Sequence, residues 1–419
     1  MAELRGAENE SIQRPHVHRA GVAGREETTA PASVRDSTRG RLASWAFNQR
    51  AYLTITAAWA ASRVLVLVAA FVVEEVSALS EAERVRAVEH LRREPANGPL
   101  PLLGAWDGFW YQSITDDGYG FREGSQSNVA FFPLFPLAMS ALTQLDLSTQ
   151  AAGLVIANAA FLIGLFAFYE LGKTWFSETV ALRAAVVAAV FPMSVIFSMT
   201  YSEALSFTAF ALSGLFAIRR RWLLCAIFAA AAALTRPTGV LIVLLVAAAA
   251  LHSARLMSIG ERVRALVAVL AAPAALGFLS AYFWWRFDDP LAYANAQAEG
   301  WGRSELFSHP IGTLETLFTL NQEGLLVDAG LCVFYLACLF LGLRKGLPRP
   351  WLALGALLLL IPLANYGTFQ SQGRYGLLAL PIYWVLALLA ERVWVRRAVF
   401  LAGPALLAVA VAALTWRWP

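Results

Sequence analysis

Lysine is almost missing from this 419-residue chain: Lys173 and Lys345 are its only two among 33 basic residues. Charge of either sign is scarce, 15% of the chain, where soluble globular proteins carry roughly 25%. The three cysteines, Cys225, Cys332 and Cys338, all lie in apolar runs. Cys332 and Cys338 sit on one expected helix, too far apart to bridge, so neither a disulfide framework nor a cysteine metal site is implied. No Walker loop, HExxH or GxSxG sequence occurs. The acids Asp288-Asp289 stand as DDP, not as the spaced pair of soluble nucleotide-sugar transferases. Nothing recognisable holds a nucleotide, so a transferred group would arrive on a lipid. The sequence pI near 9.1 needs no nucleic acid to explain it, because arginines at the ends of apolar segments account for it.

What is present is apolar. The chain is 58% hydrophobic with a mean hydropathy of +0.57, and runs of spanning length recur from residue 52 onward. That composition predicts an all-α polytopic membrane protein, its spanning domain covering 51–419. Residues 1–50 are poor in large apolar side chains and cannot bury enough surface to offset chain entropy. A disordered tail is expected there, with His16 and His18 solvated. The first apolar core starts too late and runs too long for a signal peptide.

Arg35, Arg39, Arg41 and Arg50 predict a cytoplasmic N-terminus at the plasma membrane, and the basic loops at 173–183, 219–221, 255–264, 344–349 and 392–397 would share that side. About eleven spans follow: 51–73, 151–171, 180–197, 203–218, 222–236, 238–251, 265–285, 327–343, 351–364, 375–391 and 398–416. The arms 222–236 and 238–251 are near 21 Å each against a hydrocarbon core of about 30 Å, and read as a broken hairpin meeting at Arg236-Pro237. The first exterior loop, 74–150, holds a partial or surface helix over 129–146, where Pro133 and Pro136 break the early turns.

This topology collects Asp107, Asp116, Asp117, Tyr201, Glu203, Arg303 and Arg374 at the exterior face, with Arg236 deepest in its hairpin. Polar groups beside spans are costly and are functional candidates by default. The stretch GAWDGFWYQSITDDGYG at 104–120 reads two ways on composition: an interfacial aromatic belt with solvated acids, or a carboxylate between stacking faces for a sugar. Arg236 in ALTRPTG either snorkels to headgroups or aims its fork at a phosphate. Arg374-Tyr375 in QSQGRYG either anchors the interface or serves the site. Glu203 stands where it can cap the next helix. Arg63, inside the first span, must face the bundle interior or a wet cavity, with an acid as a candidate partner.

Taken in order, WDGFWYQSITDDGYG, FFPLFP, FPMSVIFSMTYSEAL, ALTRPTG and GRY resemble the PIG-V family, whose eukaryotic members are the second mannosyltransferase of GPI-anchor synthesis. The resemblance covers the first span to about residue 385. It implies a multi-spanning glycosyltransferase of the C-type (GT-C) fold, which takes sugars from polyprenyl phosphate and keeps catalytic acids in the first exterior loop. By this resemblance Asp107 is the catalytic carboxylate. Trp106, Trp110 and Tyr111 would hold a sugar, with Asp116, Asp117, Tyr201, Glu203, Arg236, Arg374 and Tyr375 as further substrate-binding candidates. No metal ligands are assigned and a divalent cation stays open. The partners implied are the bilayer, a polyprenyl-phosphate sugar, most simply mannose, and a glycolipid or glycan acceptor, with no nucleic acid. Abundant arginine looks like a high-GC, actinobacterial-like source, where GPI anchors are not expected, so the reaction type carries over and the eukaryotic acceptor does not.

The residues support direct displacement, with Asp107 taking the acceptor's proton and Arg236 or Arg374 meeting the leaving phosphate. Double displacement stays open if Asp116 or Asp117 approaches Asp107. The rival is a lipid or glycan transporter or flippase with Arg236 at a midplane site on a broken helix. No internal repeat is evident, and the polar residues gather at one face, which favours the transferase. A non-catalytic membrane scaffold that retains the loop is the third alternative.

Overall fold

A computed structural model describes residues 32–76, 102–301, 323–366 and 371–413, and helix is the only regular secondary structure among them. The chain divides into two units, residues 1–49 and 50–419. Helix α1 covers Ala32–Val76, so the described part of the expected tail is helical. Adding residues to a helix already nucleated by an apolar span costs far less than starting one. Residues 1–31, and Arg303 of the predicted exterior set, lie outside the described residues.

After α1 come α2 (Asp107–Asp117), α3 (Leu134–Thr143), α4 (Thr149–Gly172), α5 (Glu178–Val190), α6 (Glu203–Ile218), α7 (Trp222–Thr235), α8 (Ile242–Ser253), α9 (Ile259–Phe287) and α10 (Ala292–Asn295). Beyond residue 322 follow α11 (Glu323–Arg344), α12 (Arg349–Tyr366), α13 (Gln372–Tyr375), α14 (Pro381–Leu389) and α15 (Val393–Ala413). Local chemistry sets several starts. The Ser148 and Ser177 hydroxyls accept from Ala151 and Val180 N–H to cap α4 and α5, and Ser258 with Glu261 forms a capping box on α9. Pro133 delays α3, so the helix expected over 129–146 shortens to Leu134–Thr143, with a separate turn at Asn128–Ala130.

Among the described residues six helices are long and apolar enough to cross a membrane: Gln49–Val73, Thr149–Gly172, Pro237–Leu256, Ile259–Phe287, Leu326–Arg344 and Val393–Ala413. Helix α5 and the turn Pro192–Ser198, bent by 73°, make a seventh if taken as one span. Helix is present at each of the eleven expected places, but eleven full spans are not. Helices α6 and α7 have 16 and 14 residues, roughly 24 and 21 Å against a core of about 30 Å. The expected span 375–391 is divided into α13, a tight turn at Gly376–Leu378 and α14, which Pro381 starts afresh. Residues 371–387 are buried throughout, and irregular backbone at membrane depth is tolerated when protein surrounds it. Lipid-facing positions are evident elsewhere: Val64, Val68 and Phe71 on α1 and Leu266, Leu270 and Phe278 on α9 are large, apolar and exposed.

Two features predicted as costly find their compensation. The hairpin does break at Arg236, whose backbone is extended between Thr235 and Pro237. Its arms touch closely enough that a side-chain carbon on Gly239 would collide with the Ala232 carbonyl, so only glycine fits there. Arg63 is buried, but its partners are not an acid. It donates to the Ser194 carbonyl at 3.0 Å, the Ala189 carbonyl at 3.3 Å and the Ser198 hydroxyl at 2.8 Å, satisfying groups freed where α5 bends. The segment 119–132 is fixed on α9 and α10 by a core of Val129, Phe132, Phe283 and Ala292, which carries it over the end of the broken hairpin.

Candidate active site

Asp107 is the first residue of α2, after Trp106 in a sparsely populated backbone conformation with φ of 59°. Its N–H reaches the Tyr201 hydroxyl at 3.3 Å. Its carboxylate Oδ2 accepts from Arg374 Nη1 at 2.6 Å, across 267 positions of sequence. Oδ1 has no hydrogen bond among the described residues, and the side chain is 28% exposed.

Arg374 reaches a second acid. Its Nε lies 3.0 Å from Glu203 Oε1, and that same oxygen pairs with Arg236 Nη1. Glu203 is 1% exposed, and each arginine side chain is 9% exposed. Two guanidiniums and two carboxylates therefore form one chain, Asp107–Arg374–Glu203–Arg236, sunk among Tyr111, Tyr201 and Tyr375. Arg374 lies 5.3 Å from the Tyr201 ring centre, and Arg236 lies 5.5 Å from that of Tyr375. Burial pushes the Tyr111 hydroxyl above its usual range, and it shares a 2.8 Å hydrogen bond with Ser202.

Glu203 thus corrects the capping expectation. The helix-capping position belongs to Ser202, which makes no side-chain cap bond, and the Glu203 carboxylate turns inward to the arginines. Asp116 and Asp117 are not brought to this cluster. They sit at the far end of α2 from Asp107, about 13–15 Å along its axis at 1.5 Å per residue, and both are exposed. Asp116 accepts from the Thr149 hydroxyl at 2.5 Å, which ties α2 to the start of α4.

A pocket opens beside the charged chain. It is lined by Asp107, Arg236 and Arg374, by Thr235, Pro237 and Thr238 of the broken hairpin, and by Phe131, Tyr293 and Trp301. Arg236 Nε has no hydrogen-bond partner among the described residues. Trp110 stacks on Phe131 at 5.8 Å and meets Trp301 edge-on at 5.6 Å. Tyr111 contacts Phe131 and Phe135. Of the predicted aromatics, Tyr111 borders the pocket directly, whereas Trp110 supports its wall through Phe131 and Trp301. Trp106 is half-buried at the start of α2. Among the described residues no three acids, histidines or cysteines come together in a way that could hold a metal ion.

Sequence reasoning missed two contributors. Trp301 shows no local signal, since its role depends on α10 folding back onto 128–131. Asp328, 3% exposed in the apolar α11, accepts from the N–H groups of Ser371 at 2.9 Å and Gly373 at 2.6 Å. An acid within an apolar run is the signal that could have found it, by the rule that drew attention to Arg63 and Arg236.

Among solved structures, the chain is similar to the oligosaccharyltransferase of Archaeoglobus fulgidus tethered with an acceptor peptide containing the NVT sequon. The TM-score is 0.40 at 14% identity over 84% of this chain and 55% of that one. The apo form of the same enzyme gives 0.38 at 15% identity over the same shares. The chain thus spans about half the length of these structures. No curated protein matches it. Residues 59–293, more than half of the chain and inclusive of Asp107, Glu203 and Arg236, match the family described as Mannosyltransferase (PIG-V), and the chain belongs to that family.

Proposed function

We propose that this protein is a membrane glycosyltransferase that moves a hexose, most simply mannose, from a polyprenyl-phosphate donor to a lipid-linked or cell-envelope glycan acceptor. The observation that carries the reading is that one carboxylate, Asp107, and two guanidiniums, Arg236 and Arg374, line the same pocket. Asp107 Oδ1 takes the proton of an acceptor hydroxyl as its oxygen bonds to the anomeric carbon. The carbon–oxygen bond to the phosphate breaks on the opposite side, and the polyprenyl phosphate leaves with charge met by Arg236. Arg374 is engaged with both acids and orients Asp107, whereas Arg236, paired with Glu203 alone, is assigned to the phosphate. The remoteness of Asp116 and Asp117 supports single displacement with inversion, because a retaining pair needs carboxyls about 5–5.5 Å apart. The reading includes the C-type fold of eleven crossings, with the short helices tilted or buried among full spans. Purified protein given polyprenyl-phosphate mannose and an envelope lipid extract should release polyprenyl phosphate. Folded protein that releases none, yet moves lipid between leaflets, would favour the transporter.

Arg236 provides a sharper test. Replacing it by lysine keeps the charge but removes the planar fork. Hydrogen bonds to charged groups are worth about 1.5–3 kcal/mol, so Arg236→Ala should raise donor KM about 10- to 100-fold. Arg236→Lys should fall between, with acceptor KM little changed. Normal donor kinetics in folded Arg236→Ala would move the phosphate to Arg374.

The reading also puts the pocket outside and residues 219–221 inside the plasma membrane. Single cysteines at Gly120, where the structure has open space, and at exposed Arg221 report on this, the three native cysteines being buried. An impermeant thiol reagent on intact cells should mark position 120 alone. Labelling of 221 alone would invert the orientation.

A further inference from the structure

We propose that Asp328 is a positioning residue for the reaction, fixing the turn that delivers Arg374 to Asp107. The proposal rests on the reading of Asp107 as the base. Helix α11 is apolar along almost its whole length, and a carboxylate 3% exposed in it is costly unless both oxygens are answered. Here both are: Oδ2 by the Ser371 N–H and Oδ1 by the Gly373 N–H. Ser371 holds a left-handed conformation, φ 64°, that a serine rarely adopts unaided. Two turns further along α11, the Tyr335 hydroxyl donates to the Gly373 carbonyl at 2.9 Å. Its ring lies so close to Gly376 that any side chain there would clash. One helix therefore grips the turn on one side, and the other side presents Arg374 to Asp107 and Glu203.

The chemistry calls for a carboxylate. Asparagine offers one acceptor oxygen and would turn its NH₂ against the second backbone N–H, so one anchor is lost and a donor meets a donor. The turn then loosens, and Arg374 with it. Small misplacements of a reacting group cost up to about 10²-fold in rate.

The test compares Asp328→Asn with the parent for transfer kinetics and for amide hydrogen exchange over 371–376. Exchange should quicken there while α11 stays protected, and kcat should fall by at least about 10-fold with donor KM little changed. In an Arg374→Lys background the same substitution should cost little more, because the group it places is already altered. If Asp328→Asn does not fold, Tyr335→Phe removes the other anchor of the same turn with little change of volume, and the same outcomes are expected. Unchanged exchange over 371–376, or an equal rate loss in both backgrounds, would overturn the proposal. A parent protein that transfers nothing defeats the functional reading instead, and the exchange result still decides whether Asp328 holds the turn.

Discussion

Asp107→Asn is expected to lose transfer by about 10²–10⁴-fold, with the protein still folded. Asparagine keeps the size of the side chain and can still accept from Arg374 through its amide oxygen, so the contact at 2.6 Å need not vanish. What it removes is the carboxylate's basicity. Because the side chain is 28% exposed at the start of α2, its loss of charge should cost the fold little. Asp116→Asn and Asp117→Asn, at the exposed far end of the same helix, should retain most of the activity. Near-normal turnover in Asp107→Asn would remove the base from this position and leave the pocket without a catalytic carboxylate.

The second large effect concerns stability. Glu203 neutralises two guanidiniums at once, and all three side chains are almost completely buried. Breaking a buried pair by deleting one partner typically costs about 3–5 kcal/mol, because the remaining charge is left uncompensated. Glu203→Gln should therefore lower the thermal unfolding midpoint in detergent more than any of the aspartate variants of α2, and reduce yield. Removing one of the stranded cations as well, in Glu203→Gln with Arg236→Gln, should recover part of that loss. A Glu203→Gln protein as stable as its parent would mean that the acid is already neutral or solvated in the folded state.

Much of this site could be read from the chain, and the reasons are local. An acid among tryptophans and an arginine beside a proline in an apolar run each contradict their surroundings within a few residues, and both line the pocket. The broken hairpin was legible for the same reason, since Pro237 and Gly239 are backbone statements. The partner choices were not legible. Asp107 and Arg374 are separated by 267 positions, and no spacing rule joins them. Glu203 looked like a cap because it does start a helix, and only the neighbouring helices turn it inward. Apolar composition does not separate helices that face lipid from those wrapped in protein, such as α14, so among the described residues six helices of full spanning length stand where eleven spans were expected. Asp116 and Asp117 shared the sequence neighbourhood of Asp107 but not its location, because α2 is a rod that carries them away from it.

The four-residue chain of Asp107, Arg374, Glu203 and Arg236 also has an arithmetic of its own. With both acids ionised its formal charge is zero. In the proposed reaction, once Asp107 holds the acceptor's proton, the same four side chains carry one positive charge, at the step in which the departing phosphate gains roughly one negative charge. The total inside the pocket is unchanged from reactants to products. Water would have to rearrange around such a shift, whereas here the answering charge is uncovered by the proton transfer itself, in groups already held in place. On this account the buried arginines, besides holding the donor, keep the reaction electrically level in a place where imbalance is expensive.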